Sequence, residues 1–132
     1  MKLTNQTIYQ YTEALASMND NEIYIPAKAN FFIQKNISLL AAAAQEIDKA
    51  RLEIAKHYGE ISEDGQGYTI PNDKIPYATK ELEELFAIEQ NIEICTFKLE
   101  DLGEAKFTSA QMSAIMFMIE DWALLSLLSF LE

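Results

Sequence analysis

Apolar residues recur at steps of three and four along most of this chain, which is the spacing of one face of an α-helix. The first apolar stripe consists of Ile8, Tyr11, Leu15 and Met18. Thr4 or Thr7 is placed to cap the helix that carries this stripe. The polar residues 19–21 then interrupt the pattern. The sequence therefore predicts a first helix that ends before residue 19.

A second and much longer stripe predicts a central helix. Pro26 suits its first turn, where a backbone N–H is not needed, and no glycine or proline follows until Gly59. At about 1.5 Å per residue this helix is roughly 50 Å long. Its stripe alternates steps of four and three, as in a coiled-coil heptad. The stripe consists of Ile33, Ile37, Leu40, Ala44, Ile47, Arg51, Ile54 and Tyr58. We interpret its apolar members as an oligomer seam.

The middle of the chain predicts a small β-structure around a third helix. This helix is predicted to begin at Pro76 and to end at about Glu89. Before it, residues 59–66 favour a loop and residues 67–71 favour a strand; after it, residues 92–100 alternate as a strand does. We predict that these two strands pair as a hairpin, which helices beside it would stabilise.

The end of the chain is apolar almost all round. A last helix, capped by Thr108 or Ser109, is predicted over 110–131, and a helix of this character must be buried. Its stretch WALLSLLSFL is only about half of the roughly 20 residues that a membrane span requires. We therefore predict burial between subunits instead of a membrane span, with Trp122 and Leu125 in the contact.

These elements define the predicted fold class. It is mainly α with a minor β-hairpin (α+β), in which one long central helix packs with two or three shorter helices. A chain of 132 residues fits a single domain, 1–132. The extent of apolar surface predicts a homo-oligomer.

Charge narrows the classes of partner. The chain carries 21 acidic and 10 basic residues, a formal net charge of −11. This opposes binding to nucleic-acid phosphates and to anionic membranes.

A single cysteine, Cys95, allows no internal disulfide, and the N-terminus lacks the apolar run of a secretion signal. We expect a cytoplasmic protein.

Enzyme chemistry has little support in the sequence. His57 and Cys95 lie on different predicted elements, and no motif places an acid to orient the histidine. Glu53 and His57 are four residues apart on one helix, a spacing that could contribute two metal ligands but is more typical of a solvated helix-face pair. We predict a protein that is not an enzyme and has no metal and no cofactor.

One stretch, EIYIPAKANFFIQKN, collects positive charge and amides around aromatic rings. Its candidate binding residues are Lys28, Asn30, Phe31, Gln34 and Lys35. On a helix, Phe31 lies between the two lysines on one face, near the partial positive charge of the helix N-terminus. This arrangement suits an anionic or planar ligand or an acidic partner surface. The alternative is that Phe31 and Phe32 are core residues and the lysines are solvated.

Arg51, the only arginine, is the other candidate. It occupies a position on the central stripe. Its side chain either lies along the surface and pairs with a facing carboxylate, or forms a buried anion site through its planar guanidinium group.

Several stretches carry a resemblance: MKLTNQTIY, NDNEIYIPAKANFFIQKN, QEIDKARLEIAKHYG, KELEELF and FTSAQMSAIMFMIED. Together they resemble a family of small uncharacterised proteins encoded by phages and prophages of Gram-positive bacteria. The similarity extends to Asp121, and residues 122–131 form an apolar C-terminal extension outside it. The resemblance implies a phage product made in the cytoplasm of the bacterial host.

The expected function follows from this context and from the lack of a catalytic motif. It is a non-enzymatic, phage-encoded binding protein that acts stoichiometrically on a host factor. Counter-defence is the expected purpose, by inhibition of a host immune protein or sequestration of a nucleotide signal. The alternative is an accessory protein of virion morphogenesis, in head or tail assembly. The expected partners are further copies of this chain and a host protein or small anionic ligand.

Overall fold

The computed structural model describes residues 1–16, 18 and 23–121, and these form a mainly helical fold with two small antiparallel strand pairs. The elements are β1 (Lys2–Thr4), α1 (Asn5–Ala16), α2 (Ala27–Tyr58), β2 (Glu60–Ile61), β3 (Tyr68–Thr69), α3 (Ile75–Ala87), β4 (Glu89–Asn91) and α4 (Ser109–Ile115). Short 3-10 turns cover Leu99–Leu102 and Met116–Met118. The predicted α+β class, mainly helical with minor β-structure, is confirmed.

The long central helix α2 has the bounds that the sequence predicts. It begins directly after Pro26 and ends at Tyr58, and the backbone N–H of Gly59 closes it by donating to the carbonyl of Ala55. Both α1 and α3 pack against it. Its buried residues are Ala29, Ile33, Asn36, Leu40, Ala44 and Ile47. The first part of the predicted stripe, from Ile33 to Ile47, is therefore the face by which α2 joins the core, whereas Arg51 at the next stripe position is exposed.

This packing corrects the interpretation of the stripe as an oligomer seam. Ile33, Leu40, Ala44 and Ile47 are all buried within a single chain. They are not available to a second copy, because the chain's own elements already cover them. Ile37 and Ile54, also assigned to the seam, are half-buried. Trp122 and Leu125 lie outside the described residues.

The strand pairing differs from the predicted hairpin. β1 pairs antiparallel with β4, and Leu3 lies opposite Gln90. β3 pairs with β2, which lies in the segment predicted to be a loop. The predicted pairing of residues 67–71 with residues 92–100 is wrong. The backbone of β3 forms its hydrogen bonds with β2, which is nearer in the sequence and therefore costs less entropy to bring into contact.

The last helix is shorter than predicted. Thr108 caps α4, since its Oγ1 accepts a hydrogen bond from the Gln111 N–H at 3.1 Å. The chain then leaves the helix so that the Met118 carbonyl accepts from Phe97 N–H at 3.0 Å and Glu120 N–H donates to the Phe97 carbonyl at 2.8 Å. The prediction of one helix over 110–131 is thus wrong within the described part.

One core joins these elements. Its buried members include Ile8 and Leu15 of α1, Phe97, and Ile115 and Met118 near the end of the described chain. The rings of Tyr11 and Phe117 stack with centroids 3.9 Å apart, which ties α1 to the turn after α4. Among the described helices, none combines the length and apolar character that crossing a membrane requires.

Candidate functional site

A ridge of exposed side chains runs along the first turns of α2. Since Ala29 and Ile33 face the core, the helical period turns Lys28, Phe31 and Lys35 away from it. The Phe31 side chain is 63% exposed, whereas Phe32 is half-buried and packs against the core. Neither sequence interpretation holds for both rings, because one is surface and the other is core. We call Lys28, Phe31 and Lys35 the Phe31 ridge.

The first lysine of the ridge is held by a neighbouring turn. Lys28 Nζ lies 3.5 Å from a carboxylate oxygen of Asp101. That same oxygen accepts a hydrogen bond from the Lys98 backbone N–H at 3.0 Å, so it also caps the 3-10 turn. The Lys28 side chain remains 65% exposed. A partner can therefore still reach its ammonium group.

The other members of the ridge region are open to solvent. Lys35, Asn30 and Gln34 are all exposed, and Lys35 forms no ion pair with any other residue in the described ranges. The amides of Asn30 and Gln34 lie beside Phe31 along the helix, as the sequence predicts. The structure thus brings five of the six candidate binding residues together on one surface.

A cavity of about 520 Å³ adjoins the beginning of α2. It is lined by Ile23, Tyr24, Pro26, Glu104, Ala105 and Lys106. The Tyr24 side chain is 80% exposed, so a second aromatic ring is presented near the ridge. Gly103 has a φ of +59° and passes beside Pro26, which places the chain that carries Lys106 against the helix start.

Arg51, the sixth candidate, lies elsewhere and is not a buried anion site. It is sixteen residues beyond Lys35, or roughly 24 Å along the helix. Its guanidinium group covers the Tyr9 ring at 5.5 Å, donates to the Tyr9 hydroxyl at 3.2 Å and pairs with Asp48 at 3.4 Å. The side chain is 52% exposed. The prediction of a surface-lying arginine paired with a carboxylate is therefore correct in outline, with the carboxylate on its own helix.

A β-turn at the far end of α2 forms a second distinctive surface. This surface contains a groove of about 720 Å³, which we call the hairpin groove. The groove is lined by Glu60, Ile61, Ser62, Glu63, Asp64, Thr69 and Pro71. The pKa of Asp64 is lowered, chiefly because the Ser62 hydroxyl donates to its carboxylate and secondly because the Gln66 N–H does so. Ile61 is 72% exposed at its edge. The sequence predicts a loop over residues 59–66 and a strand over 67–71, and no pattern in it pointed to this surface.

Two buried asparagines hold distant segments together. The Asn36 side chain bonds to the backbone of Cys95, and Asn5 donates to the Leu85 carbonyl while accepting from Gln90 Nε2. The signal for Asn36 was available, since it is three residues after Ile33 and four before Leu40 on the apolar face. A polar residue at a core position indicates a specific hydrogen-bond partner.

Glu53 and His57, whose spacing could contribute two metal ligands, each contact a different neighbour on α2. Glu53 pairs with Lys56 at 3.7 Å, and the His57 ring lies edge-on to Tyr58 with centroids 4.6 Å apart. Within the part of the chain that the structure describes, no three histidine, cysteine or carboxylate side chains are grouped to hold a metal ion.

Comparison of this chain with protein-family models, curated proteins and solved structures finds no match.

Proposed function

We propose that this protein binds a host protein stoichiometrically through the Phe31 ridge, as a phage-encoded, non-enzymatic agent of counter-defence. The observation that carries the proposal is the exposure of Phe31 between two lysines on a protein of net charge −11. The phage context rests on the family resemblance of residues 1–121.

Phe31 supplies the apolar part of the proposed contact. Full burial of a phenylalanine side chain is favourable by about 1.5–3 kcal/mol, and 63% of this side chain faces water in the single chain. Its ring lies edge-on to that of Phe32, with 6.0 Å between centroids. An exposed aromatic ring is a typical anchor at a protein interface.

The lysines supply orientation. Lys28 and Lys35 are two helical turns apart, or roughly 10 Å, with Phe31 between them. Because the chain as a whole carries a net charge of −11, the two lysines make the ridge a local region of opposite sign. It favours a partner with an apolar pocket bordered by carboxylates, since rim charges set the rate and specificity of association.

The shape of the ridge favours a protein over a small ligand. The ring of Phe31 projects from a helix and therefore needs a concave partner, whereas small molecules are bound in clefts that enclose them. A stoichiometric inhibitor needs only such a complementary surface. A ridge inserted into a functional pocket of a host immune protein would block that pocket.

The test uses two aromatic residues of equal exposure. Phe31→Ala removes the ridge anchor, and Tyr77→Ala removes a ring on α3 that is 64% exposed. Tagged wild-type and variant proteins are expressed in hosts that carry defined defence systems, and phage plating and co-purified proteins are measured together. We expect wild type and Tyr77→Ala to restore plating and to retain one host protein at a fixed ratio.

Phe31→Ala should lose both effects while remaining folded by circular dichroism. Retention of plating and capture by Phe31→Ala would overturn the role of the ridge. Native mass spectrometry of the purified complex identifies the partner, and a retained nucleotide in place of a protein would also overturn the proposal.

A further inference from the structure

The hairpin groove combines an apolar surface with a concentration of negative charge. Ile61 lines the groove and is 72% exposed. Tyr68 lies directly opposite Ile61 across the β2–β3 pair, beside the groove, and is 37% exposed. Pro71 adds a further apolar wall. No described element covers this pair of side chains, although their burial by a partner would be favourable.

Carboxylates surround this apolar surface. Glu60, Glu63 and Asp64 line the groove, and no lysine, arginine or histidine is among its described lining residues. The Asp64 carboxylate is fixed by the Ser62 hydroxyl at 2.7 Å and by the Gln66 N–H at 3.1 Å. The groove therefore fits an apolar group flanked by cations.

The same chain presents such a group on the Phe31 ridge. There, one exposed ring lies between Lys28 and Lys35, whereas the groove places the exposed Ile61 and the half-buried Pro71 among three carboxylates. The two surfaces are complementary in charge and in apolar character. Direct charge pairs act at contact distance, whereas the net repulsion between copies is screened beyond about 8 Å at physiological salt.

The ridge and the groove cannot meet within one copy. The ridge is at the beginning of α2 and the groove follows its end, and the helix from Phe31 to Tyr58 separates them by roughly 40 Å. We infer that copies of this chain associate head to tail, with the Phe31 ridge of one copy in the hairpin groove of the next. Such a contact is heterologous and extends into a chain instead of closing as a symmetric dimer.

This inference uses the same ridge as the proposed function but does not depend on a host partner. Each surface offers one exposed apolar side chain, Phe31 or Ile61, with two or three charges, so we expect a weak association with a Kd of about 0.1–1 mM. A host protein with a tighter acidic pocket would compete for the ridge and release single copies.

Charge reversal on each surface tests the pairing in sedimentation velocity of purified protein from about 0.02 to 1 mM, a range around the expected Kd. The ridge variant is Lys28→Glu with Lys35→Glu, and the groove variant is Glu60→Lys with Glu63→Lys. We expect the sedimentation coefficient to rise with concentration for wild type and to stay constant for either variant alone. An equimolar mixture of the two variants should associate again, because each reversed surface then faces its complement.

A control separates the groove from net charge. Glu83→Lys with Glu93→Lys changes the net charge by the same amount at two exposed positions outside the groove. This control should associate at least as well as wild type. If a charge variant is unfolded by circular dichroism, Phe31→Ala replaces it, since loss of that exposed ring should also lower association at least threefold.

Constant sedimentation of wild type, or failure of the mixed variants to associate, would overturn the head-to-tail pairing. Host capture would be unaffected by that result. The groove variant keeps the ridge intact, so it should still capture the host partner, and its behaviour distinguishes failure of one proposal from failure of the other.

Discussion

Asn36 and Cys95 are joined by two hydrogen bonds, each 2.8 Å long, across 59 residues of sequence. The side-chain amide of Asn36 donates to the Cys95 carbonyl, and its oxygen accepts from the Cys95 N–H. A side chain of α2 thus satisfies the backbone N–H and carbonyl of Cys95, as a neighbouring β-strand would. Asn36 is completely buried, so water cannot replace it.

Asn36→Ala should lower the free energy of unfolding by about 2–4 kcal/mol, because it leaves the Cys95 N–H and carbonyl without partners. Asn30→Ala is the matched control, since Asn30 is exposed on the same helix and its loss should change stability by less than about 0.5 kcal/mol. Urea denaturation followed by circular dichroism measures both. Equal stability of the two variants would contradict the bridging role.

Leu40→Ala tests whether the heptad stripe serves the core of one chain. Leu40 is fully buried, and its truncation should lower the free energy of unfolding by about 2–5 kcal/mol. The loss should be the same at 2 μM and 50 μM protein, concentrations set about 25-fold apart, because no second copy covers the site. Leu52→Ala, at a position 46% exposed on the same helix, should cost far less. A loss that varies with protein concentration would place the stripe between subunits.

Glu81 is the main cause of a raised pKa at Tyr58. The pKa of Tyr58 is raised above its usual value of 10.0, first by a side-chain hydrogen bond to Glu81, then by burial and by the charges of Glu81 and Glu84. The folded state therefore holds this proton more tightly than the unfolded state. The resulting stabilisation is fully present below pH 10 and is lost as pH rises through the higher folded-state pKa.

Glu81→Gln should lower the pKa of Tyr58 towards its usual value, whereas Glu83→Gln on the same helix should leave it unchanged. The measurement is the ultraviolet absorbance of tyrosinate as pH rises, with Tyr58→Phe subtracted to isolate this residue. An unchanged Tyr58 titration in Glu81→Gln would contradict the assignment of the cause.

Gly103→Ala should destabilise the turn beside the ridge. Gly103 has a φ of +59°, where side chains are strained, and an added Cβ would lie 3.1 Å from Pro26 Cγ. We expect a loss of about 1 kcal/mol or more. Gly67→Ala is the control, because an added Cβ there meets only Ser62 Oγ at 3.9 Å, and its effect should be neutral or slightly stabilising. Thermal unfolding compares the two, and a neutral Gly103→Ala would contradict the strain argument.

The sequence by itself determined the features that depend on local chemistry. The alternating steps of four and three along α2 identified Ile33, Leu40, Ala44 and Ile47, four of its buried residues, and Pro26 and Gly59 marked its ends. The capping role of Thr108 is likewise local, since its hydroxyl bonds to a residue three positions on. The ridge residues were found because residues that share a helix face are related by spacing alone.

Only the tertiary structure decided which segments meet. Periodicity does not predict that β1 pairs with β4, because these two strands are far apart in the sequence. Nor can it say that the chain leaves the helical path after Ile115, where backbone hydrogen bonds to Phe97 replace those of a longer helix. The exposure of Phe31 beside the half-buried Phe32 was decided in the same way. The spacing of residues in the sequence shows which of them share a helix face, but only the neighbouring elements determine whether that face is buried.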